Sequence, residues 1–291
     1  MSEVTCVSTA AAVLGEGTLW DPDRQVVWWL DIKSAVLHAH DVNTGANRRQ
    51  ALEHRLTALG LTDRGDLIGC GDAGFVRLCV AADGRVRVVE ILARPDEPAG
   101  NRFNDAKVDS AGRFWAGTMD DAERESCGSL YRLDARSLTQ VRSGIAVPNG
   151  PCFLADGTML ATDTAAGIIT AYTLDAAGNP RSERAFARFA PEDGYPDGMT
   201  VDAEDHVWVA FWDGACLRRV DPDGRVVQNI PLPVQRPTCP VFGGAALDRL
   251  YVASALIGLD AAALTLQPWS GGLLRLDVGV SGVPPSRFSL S

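Results

Sequence analysis

Residues 205–211 read DHVWVAF: an aspartate suited to a turn, then alternating β-branched and aromatic residues with the composition of a short buried strand. Five other segments have the same form. They are Arg24-QVVWWLD, Gly65-DLIGCG, Gly112-RFWAGT, Gly157-TMLATD and Asp248-RLYVAS. Successive copies begin 41 to 48 residues apart, within the roughly 40–50 residues of a four-stranded propeller blade. A second apolar run follows each copy, usually introduced by glycine, as in GFVRLCV from Gly74, GSLYRLD from Gly128 and GIITAYTLD from Gly167. Turns such as Asn43-Thr44-Gly45, Asp83-Gly84 and Asp223-Gly224 then lead to an outer strand. Glycine and asparagine suit these positions because tight hairpin turns need positive φ. The expected fold is all-β, a six-bladed β-propeller with residues 1–291 in a single domain, and with the segment Val4 to Val7 paired to the last blade. An irregular β-sandwich leaves six copies at so regular an interval unexplained.

The composition agrees. Of 291 residues, 46% are hydrophobic and 22% charged, which supplies a core and excludes a disordered chain. Asp and Glu total 37 against 27 Lys and Arg, a formal charge of -10, and no basic run offsets it. Nucleic acid and anionic membrane surfaces are therefore not expected partners. The nearly uncharged stretch from Thr5 to Gly15 is too short to cross a bilayer, and no signal peptide is read. Seven cysteines, an odd number with no C-x-x-C spacing, argue against a disulfide framework and for a reducing compartment, so a cytoplasmic monomer is expected. His38 and His40 share one strand face and fit either a metal pair or an ordinary exposed strand pair. With no third ligand of the same kind nearby, the exposed pair is expected. The chain has no G-x-S-x-G elbow, P-loop or H-E-x-x-H helix, and Gly15-Glu16-Gly17 lacks the third glycine of a dinucleotide fingerprint.

Counting back eight residues from each repeat anchor gives Glu16, Thr57, Asn104, Asn149, Asp197 and Pro240. In a propeller this register lies near the start of each blade's first strand, where side chains distant in sequence converge. Two carboxylates and one or two amide oxygens brought together would repel and resist desolvation without a cation. A divalent ion resolves this. Asn149-Gly150 and Asp197-Gly198 are also ordinary turn sequences, but recurrence at one register, with Glu16-Gly17 alike, favours a site. Ca²⁺, Mg²⁺, Mn²⁺, Zn²⁺ and Fe²⁺ all accept such oxygens, and three protein ligands leave positions open for substrate or water.

At these residues the chain resembles the senescence marker protein, gluconolactonase and luciferin-regenerating enzyme family, the regucalcin-like propellers, and looks most like its bacterial sugar lactonases. The matching segments are LGEG from Leu14, NRFNDAKVD from Asn101, FWAGTM from Phe114, NG at Asn149 and PDGMTVDAEDHVWVA from Pro196. The resemblance implies Glu16, Asn149 and Asp197 as ligands of one divalent metal ion, and Arg102 and Asn104 as binders of substrate oxygens. It also implies hydrolysis of a sugar lactone, a pentono- or hexonolactone, to the aldonic acid. In such a reaction the cation polarises the lactone carbonyl and Asp197 serves as general base. One departure stands out: several relatives carry a substrate-contacting glutamate shortly after G-T-M, whereas Met119 here is followed by Asp120, Asp121 and Ala122. The acidic stretch Asp120 to Glu125 is either a lid or a solvated loop, with Glu123 and Glu125 expected in solvent. Tyr195 either offers a ring face to the sugar or packs its loop. The competing classes are a non-enzymatic calcium-binding or partner-binding propeller and a metal-dependent esterase or phosphotriesterase.

Overall fold

The computed structural model describes residues 3–290. Among them are six sheets, antiparallel except for one added strand, and only two short helical pieces, Pro191–Asp193 and Ala261–Leu266. The sheets are the blades of a six-bladed β-propeller, as the repeat predicts. The chain divides into two compact units of three blades each.

One unit combines the residues up to Ala51 with Phe189–Pro284. Its first blade runs Gly15–Asp21, Val26–Asp31, Val36–Asp41 and Asn47–Ala51. The fifth blade runs Tyr195–Val201, Val207–Trp212, Cys216–Val220 and Val226–Pro231. The sixth takes Pro237–Gly243, Arg249–Ser254 and Leu273–Leu276, and borrows its outer strand, Val4–Ser8, from the start of the chain. Val4 stands opposite Leu276 and Cys6 opposite Leu274, which is the expected closure by the N-terminal segment.

The other unit holds Leu52–Arg188 and the residues from Pro285. The second blade is Leu56–Thr62, Leu67–Gly71, Gly74–Val80 and Val86–Ala93, with Arg287–Phe288 added parallel to its first strand. The third is Asn101–Val108, Phe114–Asp120, Gly128–Leu133 and Leu138–Ile145. The fourth is Pro148–Phe153, Met159–Asp163, Ile168–Leu174 and Pro180–Arg188.

Burial explains the pattern of the repeats. The second strands of the first and third blades are covered on both faces, so they read as continuous apolar runs rather than alternating ones: all of Val26–Asp31 and Phe114–Asp120 is buried. Between the second and third blades, Phe75 meets Phe103 and Phe114 edge-on, at ring distances of 4.8 and 6.1 Å. The outer strands are exposed and charged, as in Asn47–Ala51 and Pro180–Arg188, which suits an edge that must not pair with another sheet.

A side-chain tie recurs in alternate blades. Asp21, Asp109 and Asp202 each accept the indole N–H of a buried tryptophan, Trp28, Trp115 and Trp208, at 3.1, 2.8 and 2.9 Å. Each also pairs with an arginine: Arg24, Arg113 and Arg219.

His38 and His40 depart from expectation. Both are buried: the His38 ring stacks on Trp29 at 4.1 Å, and the His40 Nδ1 pairs with Asn47 Oδ1 at 3.1 Å. They pack the first blade rather than face solvent.

Candidate active site

Every first strand carries a β-bulge at one level. Pairing with the second strand jumps from Glu16 to Leu19, Leu56 to Ala58, Phe103 to Ala106, Asn149 to Cys152, Pro196 to Met199 and Pro237 to Pro240. Bulges re-aim side chains and end regular pairing, and they gather near functional sites. Glu16 and Asn149 are the last paired residues before their bulges, and Asn104 and Asp197 are the first bulged ones. The count from the repeat anchors fails in the sixth blade. Pro240 lies beyond the bulge, opposite Val252, because the hairpin that follows it is two residues longer than the one in the fifth blade. Thr238 takes the equivalent place.

In the first unit, Thr238 lies between the two carboxylate-bearing strands. Its hydroxyl donates to the Gly15 carbonyl at 2.6 Å, next to Glu16. On the other side, a Cβ on Gly198 would stand 2.8 Å from the Thr238 carbonyl, so the residue after Asp197 must be glycine for the strands to approach this closely. Glu16 and Asp197 are 6% and 4% exposed. Glu16 Oε2 accepts the Gly17 N–H at 3.1 Å, across a glycine at φ 58.

The second unit gathers Arg102, Asn104 and Asn149, all buried, into one chain of hydrogen bonds. Arg102 donates through Nη1 to Asn104 Oδ1 at 2.7 Å and to the Phe103 carbonyl at 2.8 Å, and through Nε to Asp121. A guanidinium only donates, so the atom of Asn104 facing it is the oxygen. The Asn104 amide then turns its Nδ2 to Asn149 Oδ1 and the Pro148 carbonyl, each at 2.9 Å. Asn149 is fixed in turn: its Oδ1 is the acceptor and its Nδ2 donates to Thr164 Oγ1 at 2.9 Å. Asp105, the second bulged residue, accepts the N–H groups of Gly150 and Ala106 at 2.9 and 2.7 Å. Burial raises its pKa, while Lys107 opposes the shift.

The stretch after Met119 is a built turn. Asp120 is buried and accepts the N–H groups of Arg124 and Ala122, which lower its pKa; Glu123 and Glu125 face solvent. Asp121 turns back to Arg102 and Arg55. Tyr195 lies in the strand opposite Trp212. Asp105, Arg55 and Thr238 had no distinguishing signal in the sequence, and Asp121 stood out only as part of the acidic stretch after Met119. Asp105 reads as part of an ordinary Asn-Asp pair, and the other three matter through contacts between segments or neighbouring blades.

The candidate donors suit a divalent cation by their chemistry: Glu16 and Asp197 are buried carboxylates in one unit, and Asn149 in the other offers an amide oxygen whose orientation is fixed, all hard oxygens. Among the described residues, no three His, Cys, Asp or Glu side chains gather at one point. Arg102 Nη2 makes no hydrogen bond among the described residues and is available to a ligand oxygen.

Residues 14–256 match the SMP-30/Gluconolactonase/LRE-like region, and the chain belongs to that family. It is 36% identical to a pentonolactonase of Haloferax volcanii over 98% of this chain and 97% of that one. It is 34% identical to a 6-deoxy-6-sulfogluconolactonase of Pseudomonas putida, over 98% of each chain. Among solved structures, it is similar to the calcium-binding protein regucalcin of Agrobacterium tumefaciens, with a TM-score of 0.92 and 29% identity over 99% of this chain and 97% of that one.

Proposed function

We propose that this protein hydrolyses a sugar lactone, a pentono- or hexonolactone, to the aldonic acid, with a divalent cation held by Glu16, Asn149 and Asp197. The observation that carries the reading is the hydrogen-bond chain from Arg102 through Asn104, which presents Asn149 Oδ1 as an acceptor at the level of the bulges. The names of the relatives, a pentonolactonase and a sulfogluconolactonase, support the substrate class. The oxygen donors suit a hard or borderline ion, Ca²⁺, Mg²⁺, Mn²⁺, Zn²⁺ or Fe²⁺, and calcium is the ion named for the regucalcin neighbour.

When bound, such a cation supplies Lewis-acid polarisation of the lactone carbonyl. Asp197 takes a proton from the attacking water as the oxygen adds to the carbonyl carbon. The ring C–O bond then breaks, and the ring oxygen leaves as a hydroxyl after receiving a proton. Arg102 offers Nη2 to a lactone or sugar oxygen, a fixed charge that needs no protonation step. Asn104 has both amide protons engaged, so a lone pair on Oδ1 is what it offers a sugar hydroxyl.

The test is proton release from a panel of aldonolactones, an aryl ester and a phosphotriester, each corrected for uncatalysed opening at the same pH. Turnover confined to aldonolactones is the expected result. Selective turnover of the ester or phosphotriester replaces the lactonase reading with the corresponding esterase, and turnover of none leaves the non-enzymatic class.

A further inference from the structure

We propose that Arg55 is a positioning residue for Arg102, acting through Asp121. The proposal rests on the reading of Arg102 as the lactone-binding arginine. All the residues involved lie within one compact unit, and the contacts are continuous. Asp121 gives Oδ1 to Arg102 Nε and Oδ2 to Arg55 Nη1, the latter at 3.0 Å. Arg55 Nε in turn reaches both oxygens of Asp72, at 3.1 and 3.0 Å.

Geometry gives each member a task. The Arg102 side chain is 4% exposed, and those of Asp121 and Arg55 are each 30% exposed. Asp121 is partly open to water, and its two oxygens face two different guanidinium groups. The Arg55 guanidinium on Oδ2 restrains rotation of the carboxylate and so holds the Arg102 fork in plane. Asp72 does the same for Arg55, and hydrogen bonds to Asp72 and then Asp121 raise the Arg55 pKa, so its charge is permanent. Arg55 and Arg102 also occupy matching places, each two residues before the Thr57 or Asn104 of its bulge. Two arginines at one level of adjacent blades thus share one carboxylate, and only one of them reaches the amide chain.

Arg55→Met keeps the aliphatic stem and removes the charge. Pairs of this exposure are worth up to about fivefold in an equilibrium constant. The expected result is a rise of about two- to fivefold in KM for the preferred aldonolactone, with kcat within about twofold of wild type. Asp121→Asn should raise KM further, and Arg55→Met added to Asp121→Asn should change it no more, because both act through one contact. Asp72→Asn, a surface change, should move KM in the same direction by less, and it carries the test if Arg55→Met fails to fold. Unchanged KM in both folded single variants, Arg55→Met and Asp72→Asn, with an active wild type overturns the positioning role alone. So does a full additional effect of Arg55→Met on top of Asp121→Asn. A wild type inactive on every lactone overturns the underlying reading, and this proposal falls with it.

Discussion

Asn149 is a neutral residue whose orientation depends on a charge two contacts away. Arg102 has no acceptor, so it fixes the flip of Asn104, which fixes that of Asn149, and Thr164 takes the remaining amide proton. The register count found Asn104 and Asn149 because recurrence across blades is visible in sequence. It does not reach Arg55, nor the contact between blades that joins Asp121 to two arginines. Asp197→Asn keeps the shape of the side chain and removes its basicity. We expect a loss of about 10²-fold or more in kcat, with an unchanged β-sheet circular dichroism spectrum; near-normal turnover would remove Asp197 from the base role. His38 gives a second test, on stability. Burial lowers its pKa from 6.5 to about 4, with Asp31 raising it and Arg49 lowering it. Between those values the unfolded chain binds a proton that the folded one refuses, so stability falls as pH drops through this window. His38→Phe keeps the stack on Trp29 and loses the titration. Its melting temperature should fall less than that of wild type between pH 6.5 and 4, and equal losses would count against the assignment.

Among the elements, the bulges re-aim the candidate side chains, and hairpin length displaces one position, in the sixth blade, from the count. Five blades follow the eight-residue offset, whereas the longer hairpin of the sixth puts Pro240 two places past Thr238. The turn keeps five residues in both blades and each strand of the sixth gains one past the bulge, a change that leaves no periodic trace, so the fold is legible in the sequence and this one position is not. The aspartate–tryptophan ties of the first, third and fifth blades were likewise hidden, although each joins two residues six or seven apart. Asp109 also accepts the N–H groups of Ala111 and Arg113 at 2.9 Å each, so one carboxylate closes the turn and satisfies the indole. Asp109→Ala leaves the buried Trp115 N–H unpaired and should cost about 1–3 kcal/mol. Urea unfolding measures this, and a change below about 0.5 kcal/mol would show that the tie contributes little.

For the whole molecule, the acidic balance seen in the composition has a structural use. Many aspartates sit in turns and accept backbone N–H groups: Asp41 from Thr44 and Asn43, Asp175 from Asn179, Asp221 from Asp223 and Arg225. Thr44 and Asn179 N–H groups are the leading causes that lower the pKa values of Asp41 and Asp175. A depressed carboxylate contributes stability above its unfolded value, 3.8 here, and loses it as pH falls through the folded one. Acid unfolding monitored by circular dichroism should therefore steepen below about pH 4, beneath the window assigned to His38. A transition complete above pH 5 would contradict this origin.

The charge assigned to Glu16 and Asp197 answers to a different measurement, proton release on the preferred aldonolactone by protein stripped with a chelator and then given one divalent ion at a time. Stripping should reduce the rate to that of spontaneous opening, and at least one of Ca²⁺, Mg²⁺, Mn²⁺, Zn²⁺ and Fe²⁺ should restore it in wild type but not in Asp197→Asn. Full activity in protein verified to be metal-free would rule out a cation held by Glu16, Asn149 and Asp197 as part of the reaction.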